Sequence, residues 1–202
     1  MMSSHTLKLA VILGSVRQAR FGPVVAQWFV GEAQQHGQFD VDLIDVAKVS
    51  LPLVLPASPE ELLDTDGRPD EMASLARRLQ AADAFVVVTP EYNHSFPASL
   101  KNFIDWHFTE WQAKPIGFVS YGGYGGGLRA VEHLRLVFAE LHAVTVRDTV
   151  SFDSHWERFD ADGELMDPDG PNIAAKTLLN SLGWWGAVLH KARLNNPYNP
   201  QS

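Results

Sequence analysis

The chain has 202 residues, 46% of them hydrophobic and 20% charged, which is enough to bury one substantial core within a single domain over residues 1–202. A formal net charge of −8 argues against a broad basic surface, so we expect no nucleic-acid partner, and any bound anion requires a local site. The absence of cysteine excludes disulfides, thiolate catalysis and cysteine-ligated zinc, and it is compatible with a cytoplasmic protein.

Five short apolar segments rich in valine, isoleucine and phenylalanine are predicted to form β-strands, at residues 7–13, 39–46, 84–89, 115–121 and 143–150. The segments between them show helical periodicity, which predicts helices at 23–36, 71–82, 97–107 and 126–141 and a last helix at 171–191. The first apolar segment is too short for the core of a signal peptide and is interrupted by Lys8. No segment approaches the ~20 apolar residues of a membrane span, so we expect no membrane partner.

This alternation of strands and helices predicts an α/β fold. Two of the strands are nearly continuous apolar runs, which is typical of a parallel sheet covered by helices on both faces. Right-handed crossovers then favour a doubly wound, flavodoxin-like domain with five parallel strands in the order 2-1-3-4-5. In such a sheet, ligands bind beyond the carboxyl ends of the strands, at the switch point between strands one and three. We assign the core to residues 7–192 and a C-terminal tail to residues 193–202, which is either disordered or an arm over a neighbouring subunit.

Two polar connections interrupt the alternation. Residues 47–70 contain four prolines and several acids and are long for a connection in a compact domain, so they either border a site or cross the surface. Residues 151–172 contain the turn sequences DADG and DPDG. Their acids lack the complete spacing of a calcium loop, so we expect solvated turns and no metal site.

The loop after the first strand, within GSVRQARFGPVVAQWF, is suited to a phosphate. Gly14 permits a tight exit from the strand, and Ser15 supplies a hydroxyl. Arg17 and Arg20 supply forked donors, and Pro23 suits the first turn of a helix, whose N-terminus adds free N–H groups and a partial positive charge. The ending of a P-loop is absent, and both arginines are equally compatible with ordinary surface charges.

The loop after the third strand begins PEYNHSFP. Pro90 forces an extended exit, so the backbone amides from Glu91 to Asn93 can project over the end of the sheet. Tyr92 adds a flat face with a polar tip. The alternative is an ordinary turn followed by a core helix, with His94 and Lys101 as exposed residues.

The loop after the fourth strand, within SYGGYGGGLRA, has glycine at five of the six positions 122–127, which allows close approach of the backbone to a flat ligand. Its GGGLRA sequence matches a dinucleotide fingerprint, with Asp148 about twenty residues further on, but such a fingerprint normally follows the first strand. Ser120, Asp148 and His155 occur in the chain order of a hydrolase triad, but Phe118 stands where a nucleophile elbow needs glycine.

Together the three loops describe a site for a mononucleotide with a large flat ring. The sequences GSVRQARFGPVVAQWF, TPEYNHSFPASLKNFIDW and SYGGYGGGLRAVEHLR resemble the NAD(P)H-dependent FMN reductase family, which includes quinone, azo-dye and chromate reductases. The resemblance spans roughly the first 150 residues, and its most specific part is PEYNHSFPASLKN.

The resemblance implies a flavin site with three groups of residues. The FMN phosphate is expected on Ser15, Arg17, Arg20, Phe21 and Gly22. The isoalloxazine ring is expected along Pro90, Glu91, Tyr92 and Asn93, with its other edge against Ser120, Tyr121, Gly122 and Gly123. Many relatives have a small hydroxyl residue in the place of Arg20, so Arg20 either binds the phosphate or points outward.

The resemblance also implies a homodimer or homotetramer, with the helix after the PEYN loop near the subunit contact. Trp106, His107 and Trp111 follow in this part of the chain, and they fit either an interface or the core of one subunit.

The resulting prediction is an FMN-dependent oxidoreductase without a catalytic side chain, because the cofactor carries the chemistry. Hydride passes from NADPH or NADH to flavin N5, and two electrons then pass to a small acceptor such as a quinone, an azo compound, a metal ion or free flavin. Alternation at one site predicts ping-pong kinetics. Two alternatives are a flavodoxin-like electron carrier without its own NAD(P)H activity and a dehydrogenase that binds NAD on GGGLRA and holds no flavin.

Overall fold

The computed structural model describes residues 6–56 and 70–199. Its five strands are β1 (Leu7–Leu13), β2 (Phe39–Asp45), β3 (Ala84–Pro90), β4 (Pro115–Tyr121) and β5 (Val144–Phe152). All neighbours pair in parallel in one sheet of order β2-β1-β3-β4-β5. The predicted fold class and strand order are therefore confirmed. Every residue of β3 and β4 is buried, whereas the edge strand β2 mixes buried and exposed positions, as expected for central and edge strands of a covered sheet.

Helices cover both faces of this sheet. They are α1 (Gly22–His36), α2 (Asp70–Ala81), α3 (Ala98–Asp105), α4 (Leu128–Glu140) and α5 (Asp169–Asn195), with short 3₁₀ turns at Val46–Lys48, Thr109–Trp111 and His155–Glu157. Phe29 of α1 and Leu178 of α5 belong to the core on one face. Phe103 of α3 and Phe138 of α4 belong to the core on the other. Because both faces are occupied by helices, the carboxyl edge of the sheet is the place where loops can form a site.

The helix after β3 is shorter than predicted and ends at Asp105. The aromatic residues that follow it, Trp106, His107 and Trp111, are 6%, 1% and 0% exposed within the single chain. Trp111 packs against Phe85 and Phe103, so these side chains contribute to the core of one subunit and are not exposed for an interface. The dimer or tetramer through this helix stays a prediction.

The C-terminal helix is longer than predicted and continues to Asn195. Beyond it, the Tyr198 hydroxyl hydrogen-bonds Nδ1 of His142 at 2.8 Å. This contact joins the end of the described chain to the turn after α4, and the division into core and tail stays a prediction. Most of the proline-rich connection, residues 57–69, lies outside the described residues. No helix in the described ranges is both long enough and apolar enough to span a bilayer.

Candidate functional site

The loops after β1, β3 and β4 meet at the carboxyl edge of the sheet, where they enclose an open cavity of about 270 Å³. The residues that line it are Ser15, Arg17, Ala19, Arg20, Phe21, Pro90, Glu91, Tyr92, Tyr121, Gly122, Gly123 and His155. The structure thus brings together every residue that the sequence assigned to a flavin site except Gly22, Asn93 and Ser120.

These three residues are next to lining residues in the chain and have local structural contacts of their own. Gly22 begins α1, and a Cβ atom there would lie 2.7 Å from both Leu13 Cδ1 and the Tyr121 hydroxyl, so a larger residue would displace these side chains. The buried Ser120 hydroxyl donates to the Gly126 carbonyl at 2.7 Å. Asn93 has a φ of 50° in a tight turn, in which the Tyr92 amide donates to the Ser95 carbonyl at 2.7 Å.

The loop after β1 presents a hydroxyl, a guanidinium and a helix N-terminus to this cavity. The Gly14 amide donates to the Val88 carbonyl at 2.9 Å, which fixes the start of the loop on β3. Ser15 is buried, whereas Arg17 is exposed, with its guanidinium 5.9 Å from the centre of the Tyr92 ring. The α1 helix has no capping side chain, so its first N–H groups and its positive dipole end are directed at the loop.

Tyr121 is the last residue of β4, and its hydroxyl lies beside Gly22 at the start of α1. Tyr121 is 4% exposed, and among the described residues its hydroxyl makes no hydrogen bond of ordinary geometry. Burial raises the pKa of Tyr121 to about 12, against smaller lowering effects of the nearby Ser15 hydroxyl and Arg20 guanidinium. A buried hydroxyl without a partner is costly, and here it lies beside a helix N-terminus. This donor set matches a phosphate group.

Arg20 does not point outward. Its guanidinium forks onto the Asp45 carboxylate at 2.7 and 2.6 Å, and it also donates to the Ser15 carbonyl. The hydrogen bond to Asp45 raises the pKa of Arg20. Burial acts to raise the pKa of Asp45, but the hydrogen bonds from Arg20 and the Ala47 amide outweigh it, and the net shift is downward. Arg20, which lines the cavity, is therefore one partner of an ion pair with Asp45.

Glu91 joins the loops after β3 and β4. Its carboxylate accepts the backbone N–H of Arg129 at 3.2 Å and the Arg129 guanidinium at 2.9 Å, and its own amide donates to the Tyr121 carbonyl at 3.3 Å. The carboxylate caps the N-terminus of α4, which has no cap of its own because Gly127 precedes it.

The glycines after β4 have packing roles that count against the dinucleotide fingerprint. A Cβ atom on Gly127 would lie 2.7 Å from Ser120 Cβ, and its φ is 83°. Asp148, the acid of that fingerprint, instead accepts a hydrogen bond from Ser181 of α5 at 3.0 Å. Ser120 donates to the Gly126 carbonyl and His155 to the Gly122 carbonyl, so the hydrogen bonds of a hydrolase triad are not formed among these three residues.

His155 lines the cavity and was not predicted to do so. Its Nδ1 donates to the Gly122 carbonyl at 3.0 Å, and its ring centre lies 4.8 Å from that of Phe21 and 5.3 Å from that of Tyr121. The signal available in the sequence was its position directly after the fifth strand, at the same edge of the sheet. No cluster of three or more metal-binding side chains occurs in residues 6–56 and 70–199.

The family model for NADPH-dependent FMN reductase matches residues 7–157. The chain belongs to this family. An NAD(P)H-dependent FMN reductase of Schizosaccharomyces pombe is 38% identical over 123 residues, which cover 60% of this chain and 61% of that protein, less than two thirds of its length. A probable NADPH:quinone oxidoreductase of Oryza sativa subsp. japonica is 31% identical over 83% of each chain.

Among solved structures, the flavoenzyme NAD(P)H:(acceptor) oxidoreductase of Paracoccus denitrificans superposes with a TM-score of 0.69 at 23% identity, over 90% of this chain and 98% of that one. At this level of identity the superposition supports the fold. The predicted family, and with it an oxidoreductase class that uses FMN and NAD(P)H, is confirmed.

Proposed function

We propose that this chain is an FMN-dependent reductase that oxidises NADPH or NADH and passes two electrons to a small acceptor such as a quinone, an azo compound, a metal ion or free flavin. Family membership and relatives named as FMN and quinone reductases support this proposal. The cavity at the switch point between β1 and β3 supports it independently, because its lining combines phosphate donors with a glycine-rich wall.

The observation that carries the proposal is the donor set for a phosphate at the start of α1. The Ser15 hydroxyl and the exposed Arg17 guanidinium line the same cavity beside the helix N-terminus, and the buried Tyr121 hydroxyl, next to Ser15, makes no hydrogen bond of ordinary geometry among the described residues. These groups would hold the FMN phosphate, since a dianion satisfies the hydroxyl and the helix dipole at once.

The flat ring would lie along the loops after β3 and β4. Its predicted neighbours are Pro90, Glu91, Tyr92, Asn93, Ser120, Tyr121, Gly122 and Gly123. The pairing of Glu91 with Arg129 holds these two loops at a fixed separation, and the absence of side chains on Gly122 and Gly123 leaves room for a ring close to the backbone. When bound, FMN supplies the redox chemistry by accepting hydride at N5 and delivering two electrons.

The protein's own residues bind and orient, and we assign none of them a covalent or proton-transfer role. We expect the donor and the acceptor to occupy this open cavity in turn, beside the bound flavin. The prediction is ping-pong kinetics. Initial rates measured with NADPH and a soluble quinone should give parallel double-reciprocal lines, and intersecting lines would show that both substrates bind together, which overturns the shared site.

The preferred electron donor is identified by comparing kcat/KM for NADPH with kcat/KM for NADH. An electron carrier of the same fold would retain FMN but show no turnover with either nucleotide.

A further inference from the structure

Arg20 and Asp45 join the loop after β1 to the end of β2. Asp45 is the last residue of β2, and Arg20 and Ser15 lie near the two ends of the loop between β1 and α1. Both terminal nitrogens of Arg20 reach the carboxylate, at 2.7 and 2.6 Å, and one of them also donates to the Ser15 carbonyl. Arg20 therefore links the two ends of the loop through the Ser15 carbonyl, and it links the loop to β2 through Asp45.

This pair differs from an ordinary surface ion pair in its burial and in its partners. The side chains of Arg20 and Asp45 are 16% and 12% exposed. The forked pair formed by Arg78 of α2 with Asp42 of β2 is 41% and 46% exposed, and Arg78 also donates to the Leu43 carbonyl of the same strand. Asp45 also accepts the Ala47 amide at 3.1 Å, which holds its carboxylate in one orientation.

The two arginines of the loop consequently differ in the charge that they can offer. The charge of Arg20 is balanced by Asp45 at 2.6 Å. Arg17 makes no ion pair with any residue that the structure describes, and it is exposed at the mouth of the cavity beside Tyr92. A bound dianion would therefore meet an uncompensated cation at Arg17 and a neutralised pair at Arg20.

We propose that Asp45 is a positioning residue of the cofactor site, which acts through Arg20 to set the shape of the loop, while Arg17 is the guanidinium that faces the phosphate. The proposal rests on the proposed function, which places the FMN phosphate at this loop. It extends the site to the end of β2, where the sequence predicted no site residue.

The test measures the dissociation constant of FMN for the apoprotein at increasing potassium chloride, in Arg17→Gln, Arg20→Gln, Arg20→Lys, Asp45→Asn and the double variant of Arg20→Gln with Asp45→Asn. We expect Arg20→Gln, Asp45→Asn and the double variant to weaken FMN binding by a similar factor of about ten, because each opens the same loop. Arg20→Lys should resemble Arg20→Gln, since an ammonium group cannot form the fork. Only Arg17→Gln should make the dissociation constant of FMN less sensitive to the potassium chloride concentration.

The opposite pattern overturns the proposal. If Arg20 binds phosphate directly, Asp45→Asn frees its charge and tightens FMN binding, Arg20→Lys retains most of the affinity, and Arg20→Gln flattens the salt dependence. Asp42→Asn is the matched control, because it breaks a forked pair on the same strand away from the loop, and it should leave FMN affinity unchanged.

Thermal unfolding of the apoprotein gives a second readout that does not involve the cofactor. Arg20→Gln and Asp45→Asn should lower the melting temperature, since each leaves a largely buried charge without its partner, whereas Arg17→Gln should not. Riboflavin separates this proposal from the proposed function. If FMN and riboflavin bind wild type and Arg17→Gln equally well, the phosphate does not lie at this loop and the proposed site itself fails.

Discussion

Replacing Tyr121 by phenylalanine removes one hydroxyl and should change the apoprotein and the FMN complex in opposite directions. The hydroxyl belongs to a residue that is 4% exposed, and although the Ser15 hydroxyl lies near it, it makes no hydrogen bond of ordinary geometry among the described residues. Leaving such a group buried costs about 1–3 kcal/mol. Tyr121→Phe should therefore stabilise the apoprotein by about 1 kcal/mol, which raises the melting temperature of a domain of this size by about 2–4 °C.

In the FMN complex, the same hydroxyl should donate to the phosphate. Because burial raises the pKa of Tyr121 to about 12, the hydroxyl is protonated at neutral pH and can act as a donor. A hydrogen bond to a charged acceptor contributes about 1.5–3 kcal/mol, so the variant should bind FMN about ten- to a hundredfold more weakly. Riboflavin, which lacks the phosphate, should bind wild type and variant alike.

The assay combines fluorescence titration of the apoprotein with both flavins and thermal unfolding without flavin. Tyr124→Phe is the matched control, since Tyr124 is fully exposed on the glycine-rich loop and its hydroxyl should affect neither readout. A lower melting temperature for Tyr121→Phe, or an equal loss of affinity for FMN and riboflavin, would refute the assignment of this hydroxyl to the phosphate.

Three further changes test other parts of the structure. Burial lowers the pKa of Lys114 to about 7 from 10.5, so the unfolded chain binds more protons between these values. The free energy of unfolding should therefore rise with pH there, by up to about 1.4 kcal/mol per pH unit, and an unchanged slope in Lys114→Met would contradict this. In urea unfolding, Glu91→Ala should lower the free energy of unfolding by about 1–2 kcal/mol, because α4 loses its helix cap. Arg129→Ala should lower it by less than about 1 kcal/mol, because that side chain is 51% exposed. Equal losses in the two variants would contradict the capping role of Glu91. Gly22→Ala should destabilise by about 1–3 kcal/mol, because its Cβ would meet neighbours at 2.7 Å, whereas Gly31→Ala, with nothing within 4 Å, should stabilise by about 0.5–1 kcal/mol in the same unfolding assay.

The sheet and the convergence of its loops could be predicted from the sequence because both depend on local patterns. Continuous apolar runs such as 84–89 are compatible with a strand covered on both faces, and the strand order then brings the loops after β1, β3 and β4 to one edge. The glycine-rich composition of residues 122–127 predicts a close approach of the backbone to a ligand, and the structure shows tight packing of Gly127 against Ser120.

The pairing of side chains could not be predicted in the same way. Asp45 lies 25 residues from Arg20 in the chain, and an acid at the end of a strand has the same appearance in sequence whether it faces solvent or a guanidinium. The direction of the Tyr121 hydroxyl depends on the close packing of Gly22 against it, which no local pattern encodes. The sequence suggests His155 only as a member of a hydrolase triad, because its approach to Gly122 depends on the path of the connection after β5.

The boundaries of the helices after β3 and at the C-terminus also depended on contacts that are remote in sequence. Trp111 closes the core under α3 and is 0% exposed, which fixes the chain in a 3₁₀ turn after Asp105. Arg193 donates to the Ala113 carbonyl at 2.6 Å, and this contact holds the last turns of α5 on the domain.

The central claim is tested most directly by the absorption spectrum of the purified protein, recorded after addition of FMN and then of NADPH or NADH under anaerobic conditions. We predict a bound flavin band that bleaches rapidly with at least one nucleotide and returns when a quinone is added. A protein that binds no FMN would contradict the proposed site, and a bound flavin that neither nucleotide bleaches would contradict the proposed reductase activity.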